Sequence, residues 1–263
     1  MGKERIDAAF AKVLEKGDKA FVPYIMAGDG GLENLREQVQ FLEDSGATVV
    51  ELGIPFSDPV ADGPVIQEAG LRALANGTTL DGVLQNLSEW KESRSIPIVL
   101  MTYFNLIFSY GIEHFAARCV EVGVDGLIIP DMPMEEEDMV TPTFSEHGLA
   151  LIRLVSPTSP KSRIEKIAGS TEGFLYAVTV KGTTGARSKY EEGLSDYLQD
   201  LKQFSSAPVL AGFGVSSPEQ VRELSSYCDG VIVGSKIVEL LASGKRQEIS
   251  EIIQAAKVSE TII

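Results

Sequence analysis

The sequence predicts an α/β protein of the TIM (β/α)8 barrel class, with an extra N-terminal helix and an enlarged connection between its second and third strands. Three observations predict it. Short apolar, β-rich runs alternate with amphipathic helical patterns; the runs number eight; and 263 residues is a length that eight βα units fill. Several runs are apolar at nearly every position, as parallel strands covered on both faces must be. A doubly wound open sheet would carry a glycine fingerprint after its first strand, and Gly28-Asp29-Gly30-Gly31 lacks the G-x-G-x-x-G spacing.

In chain order, residues 2–16 form an amphipathic helix placed before the first strand, Phe21–Gly28. A helix over Leu32–Asp44 leads to the second strand, Val49–Pro55. The long link that follows carries a loop, Phe56–Gly63, and two helical stretches, Pro64–Asn76 and Leu80–Glu92. The later strands are Pro97–Tyr103, Gly126–Pro133, Ala150–Pro157, Gly173–Val180, Pro208–Gly214 and Gly230–Ser235. Helical periodicity marks Gly111–Val122, Glu135–His147, Pro218–Tyr227 and Lys236–Leu241 between and after them. No linker or composition shift divides the chain, so residues 1–263 read as a single barrel domain.

Hydrophobic residues make up 44% and charged residues 23%, which excludes a disordered or fibrous chain. Twenty-three basic against thirty-eight acidic residues give a formal charge of −15, which opposes binding to phosphate backbones and anionic membranes. Cys119 and Cys228 lie far apart, in no metal spacing, and read as small core residues. The N-terminus alternates charged and apolar residues and has no signal-peptide core, and no run is apolar enough to span a membrane. The expectation is a cytoplasmic protein.

In a barrel of this kind the chemistry lies at the C-terminal ends of the strands. His114 and His147 fall on helices, one of them at the opposite end, so no histidine triad or metal site is expected. Glu51 stands out inside an apolar strand. Alternation puts Val50, Leu52, Ile54 and Phe56 on the helix-covered face and Val49, Glu51, Gly53 and Pro55 inward. An inward carboxyl without a partner has its pKa raised toward the range of general acid–base work. Gly53, on the same face, is expected to leave room for a ligand. Asp62, in the loop just above, is the second carboxylate, with Asp58 as a competitor in an ordinary turn sequence. Asp131 closes the fourth strand as either a site residue or a supporting one, and Tyr103 and Tyr176 are candidates for stacking or hydrogen bonding.

Three glycine-rich segments suggest an anion site: Lys181-Gly182-Thr183-Thr184-Gly185-Ala186-Arg187, Gly212-Phe213-Gly214 and Gly234-Ser235, the last opening a helix. Glycines admit close approach of backbone N–H groups, and a helix N-terminus adds partial positive charge. The first of these segments, with Lys189 and Tyr190, also reads as a lid.

The run Glu51-Leu52-Gly53-Ile54-Pro55-Phe56-Ser57-Asp58-Pro59, continuing through Ala61-Asp62-Gly63-Pro64, resembles the signature of the tryptophan synthase α subunit family. Phe21-Val22-Pro23-Tyr24, Met101-Thr102-Tyr103-Phe104-Asn105, Pro130-Asp131-Met132-Pro133, Gly182-Thr183-Thr184-Gly185 and Gly212-Phe213-Gly214 follow in the family's order. The resemblance implies a lyase of tryptophan biosynthesis that cleaves indole-3-glycerol phosphate to indole and glyceraldehyde 3-phosphate, with no cofactor in this chain. It implies Glu51 and Asp62 as catalytic residues. Phe21, Ile66, Met101, Tyr103 and Tyr176 would lie around the substrate, Thr184 would be the lid residue that meets Asp62, and Gly185, Gly214, Gly234 and Ser235 would hold phosphate. It further implies a β subunit carrying pyridoxal phosphate, in an αββα complex that receives the indole through a tunnel. Two departures stand near the site: Gly30, where members often have proline, and Leu106, also in place of a proline. The alternatives are another phosphate-binding barrel enzyme, whose isomerase form wants a lysine or histidine at a strand end, and a non-catalytic barrel that activates a partner.

Overall fold

The structure, a computed structural model, describes residues 2–179, 193–212 and 214–257. Its parallel strands are β1 (Ala20–Met26), β2 (Val50–Gly53), β3 (Ile98–Met101), β4 (Gly126–Ile128), β5 (Ala150–Leu151), β6 (Arg153–Val155), β7 (Leu175–Val178), β8 (Val209–Gly212) and β9 (Gly230–Val233). The order β5-β4-β3-β2-β1-β9-β8-β7-β6 runs around a barrel whose two ends meet at Ile152. Strands β5 and β6 are therefore one stave, expected as Ala150–Pro157. Its first half pairs with β4 and its second with β7, and the Ile152 N–H still donates to Leu127 O at 2.9 Å.

Side-chain alternation sorts the core into two layers. Phe21, Ile25, Val50, Leu52, Ile54, Ile98, Leu100 and Leu127 point out against the helices. Val22, Val49, Val99, Ile128, Ile152, Phe174, Leu210 and Ile232 fill the interior. The extra N-terminal helix, Gly2–Leu14, sends Ile6 and Phe10 into that interior, where Phe10 meets Phe174 with ring centroids 5.5 Å apart. Arg5 anchors it, donating to both oxygens of the buried Asp125 at 2.9 and 3.0 Å. The segment read as a helix over Glu135–His147 is a 3-10 turn, Met134–Met139, followed by a short helix, Thr141–Glu146. The break falls at Val140, with φ −123, and Pro142 stands in the first turn of the new helix, where its missing N–H costs nothing. The enlarged link holds helices Pro64–Ala75 and Leu80–Glu89, as expected. Among the described residues, no helix is long and apolar enough to cross a membrane.

Candidate active site

A cavity opens at the C-terminal ends of the strands; with its open mouth included, the space is about 780 Å³. Its wall includes Tyr24, Glu51, Asp62, Ile66, Met101 and Tyr176 at one side and Gly214, Gly234, Ser235 and Lys236 at the other.

Glu51 faces inward from β2 and is 1% exposed. Its Oε2 is buried and, among the described residues, has no hydrogen-bond partner. Burial first, and the nearby Asp62 charge second, push its pKa up to about 8. The acid is thus largely protonated at neutral pH and close enough to neutrality to give and take a proton. Asp62 is 8% exposed in the loop after β2. Burial raises its pKa, and a hydrogen bond from the Tyr103 hydroxyl opposes the rise. The same hydroxyl accepts the Ala61 N–H at 3.0 Å, and the Tyr103 ring stacks on Phe56 at 5.2 Å. Gln67 Nε2 donates to Asp62 O at 2.8 Å, and Gly63 and Pro64 begin the next helix, so the loop is tied at both flanks. The two carboxyls stand in different surroundings, one buried with an unpartnered oxygen, the other hydrogen-bonded.

Tyr176 faces the cavity from β7, and a β-carbon at Gly212 would collide with its ring. At the far side, Gly214 has φ +81, and Gly234 precedes the helix Ser235–Ala242. The first N–H groups of that helix have no partner within it and lie at the cavity wall. Thr184, Gly185 and the remainder of the segment expected as a lid, Lys181 to Tyr190, lie outside the described residues, as does Phe213.

Several sequence expectations meet a different arrangement. Phe21 points outward into the helix-covered layer and does not reach the cavity. Strand β1 is buried at every position, so composition could not tell its two faces apart. Its register does: Tyr24 lies opposite Glu51 and takes the inward position. The space above Gly53 is also not free, since a β-carbon there would strike the Tyr24 hydroxyl. Tyr103 stands behind Asp62 and outside the cavity lining. Asp58 is exposed and accepts the Ser57 hydroxyl at 2.5 Å, while Asp131 accepts the Phe104 N–H at 3.0 Å. Tyr24 and Lys236 are among the lining residues that the sequence does not single out, as are Val65, Ile232 and Glu239. The glycine two positions after Glu51 was the available signal for Tyr24, because it demands a bulky neighbour. Gly30 adopts φ +82, a conformation closed to proline, and Leu106 sits in the helix Phe104–Tyr110. No cluster of three metal-ligating side chains occurs among the described residues.

The comparisons with known proteins agree on one family. A family model described as tryptophan synthase alpha chain matches residues 10–262. The tryptophan synthase alpha chain of Oceanobacillus iheyensis is 55% identical over 263 residues, covering 100% of both chains. That of Bacillus cereus is 54% identical over 260 residues, 99% of each. Among solved structures, Mycobacterium tuberculosis tryptophan synthase superposes with TM-score 0.89 at 31% identity, over 97% of this chain and 99% of that one. Tryptophan synthase subunit alpha of Legionella pneumophila gives TM-score 0.84 at 36% identity, over 96% and 98%.

Proposed function

This chain belongs to the tryptophan synthase alpha chain family, and we propose that Glu51 and Asp62 perform its lyase reaction, the cleavage of indole-3-glycerol phosphate. The observation that carries the assignment is the buried, unpartnered carboxyl of Glu51, held near neutral pKa in the same cavity wall as Asp62. The bond to be broken joins indole C3 to the glycerol chain. Indole becomes a leaving group when C3 is protonated, and Glu51, protonated at rest, supplies that proton. The resulting carboxylate then takes the proton of the adjacent glycerol hydroxyl. The O–H electron pair forms the aldehyde C=O, the C–C bond breaks, and its pair returns to the indole ring. Glu51 ends as it began. Asp62 accepts the indole N–H and stabilises the positive charge that the ring carries before cleavage. Ile66, Met101 and Tyr176 bound the ring.

The phosphate end is assigned to Gly214, Gly234 and Ser235, with Thr184 and Gly185 contributed by the lid. Lys236 adds a cation there. In a chain of net charge −15, and with Glu239 on the same wall, an anionic substrate is held by local amides, a helix terminus and Lys236 against the global field. This chain needs no cofactor of its own for these steps. Indole passes to a β subunit that carries pyridoxal phosphate, in an αββα complex of the cytoplasm. Docking through the Phe56–Gly63 loop, the Tyr103–Phe108 region and the Pro130–Glu135 region is supported by the exposed apolar side chains of Val60 and Phe108. The test is indole release from indole-3-glycerol phosphate by the chain alone and with a β subunit. Glu51→Gln abolishes release while binding of glycerol phosphate persists; near-normal release by that variant sinks the assignment.

A further inference from the structure

We propose that the Tyr24 hydroxyl is a further catalytic group, donating a hydrogen bond to the same glycerol hydroxyl oxygen whose proton Glu51 removes. The inference rests on the role assigned to Glu51 above. Tyr24 and Glu51 are direct cross-strand partners on β1 and β2. Both line the cavity, and both are almost fully buried. The next inward position on β2 is Gly53, and the Tyr24 ring folds into the notch that it leaves, with the hydroxyl where a β-carbon would be. Met26, Ile66, Ala69, Ala73 and Val238 pack in the same small cluster as the ring and fix its position.

The two residues meet at one cavity: Glu51 Oε2 is buried with no hydrogen-bond partner among the described residues, and Tyr24 lies on the same wall. Most buried polar groups in folded proteins are paired, so the unpaired oxygen of Glu51, with a phenol on the same wall, marks a place for a ligand group that meets both. A ligand hydroxyl satisfies both at once, accepting from Tyr24 and donating to Glu51. Burial, with Asp62 and Glu51 nearby, holds the phenol proton in place, so Tyr24 remains a donor throughout the working pH range. Such a donor makes the glycerol O–H more acidic. It then stays on the same oxygen as the proton moves to Glu51, the C=O forms and the C–C bond breaks. No proton leaves Tyr24, and the balance of the step is unchanged.

The test is Tyr24→Phe in the full chain, assayed alone and with a β subunit. This variant keeps the ring and removes only the hydroxyl. The expected kcat falls roughly tenfold to a hundredfold, the scale of one transition-state donor. KM changes by less than about threefold, and indole-3-propyl phosphate, which has no glycerol hydroxyls, binds as tightly as to the parent. Three results overturn the proposal: kcat within about twofold of the parent; loss of propyl-phosphate binding in proportion to turnover, which reduces Tyr24 to packing; or a moved acid–base limb with an unchanged plateau, which makes it a tuner of Glu51. Glu51→Gln in the same assay separates the two readings. If it retains turnover, the role of Glu51 fails whatever Tyr24 does; if it is inactive while Tyr24→Phe is normal, only the role of Tyr24 fails.

Discussion

Replacing Glu51 with glutamine should make the fold more stable relative to the parent as pH rises. In the native state the Glu51 carboxyl titrates at about 8, against 4.5 for the unperturbed group. Between those values the native chain holds a proton that the unfolded chain has released. Stability contributed by the protonated form is fully present below 4.5 and is lost as pH rises through about 8. The interval corresponds to up to about 5 kcal/mol, at roughly 1.4 kcal/mol per pH unit. Glutamine has a similar shape and no ionisation, so its own burial adds an offset that does not vary with pH. The quantity to measure is the difference in unfolding free energy between the variant and the parent, by urea denaturation at a series of pH values from 5 to 9. Taking the difference cancels most other titrating groups. It should grow by several kcal/mol toward glutamine, with most of the change below the native titration point. A flat difference would show that Glu51 is already ionised or paired at neutral pH, and its role as the initial acid would fall with that result.

Two other substitutions probe the supports of the site. Tyr103→Phe removes the hydroxyl bond that holds the Asp62 pKa down. The group needed as a carboxylate then protonates at higher pH, so the acid limb of the kcat/KM profile moves up; an unmoved limb would remove Tyr103 from this role. Arg5→Ala strips the anchor from Asp125, which is 1% exposed and keeps, among the described residues, the Ile98 N–H and the nearby Arg94 charge. Arg5 is itself 35% exposed, so the loss should be about 2 kcal/mol in urea denaturation, below the range for a fully buried pair. A change under about 0.5 kcal/mol would place the helix docking in its apolar contacts alone.

The barrel was legible because its strands are short, apolar and evenly interleaved with amphipathic helices, and because Glu51 breaks that pattern on the inward face alone. The faces of β1 were not legible. Every position there is buried, so alternation carries no contrast, and the resemblance alone points to Phe21, where the structure turns Tyr24 inward. Only pairing with β2, a long-range contact, resolves the choice. Tyr103 shows a related limit. Its position at a strand end was read as substrate contact, whereas its hydroxyl is spent on the Ala61 N–H and the Asp62 carboxylate, a partner set that depends on how the loop after β2 folds back. Lys236 carries no signal in the sequence, where one lysine at a helix start looks like any other surface lysine.

The N-terminal helix has a consequence for traffic. With Ile6 and Phe10 seated among Val22, Ile128 and Phe174, the barrel is corked at its lower end and behaves as a flask, not a pipe. Among the described residues, that leaves the neck as the way into the cavity. Substrate entry and the departure of both products share one doorway, and whatever sits across that doorway sets the order in which they pass.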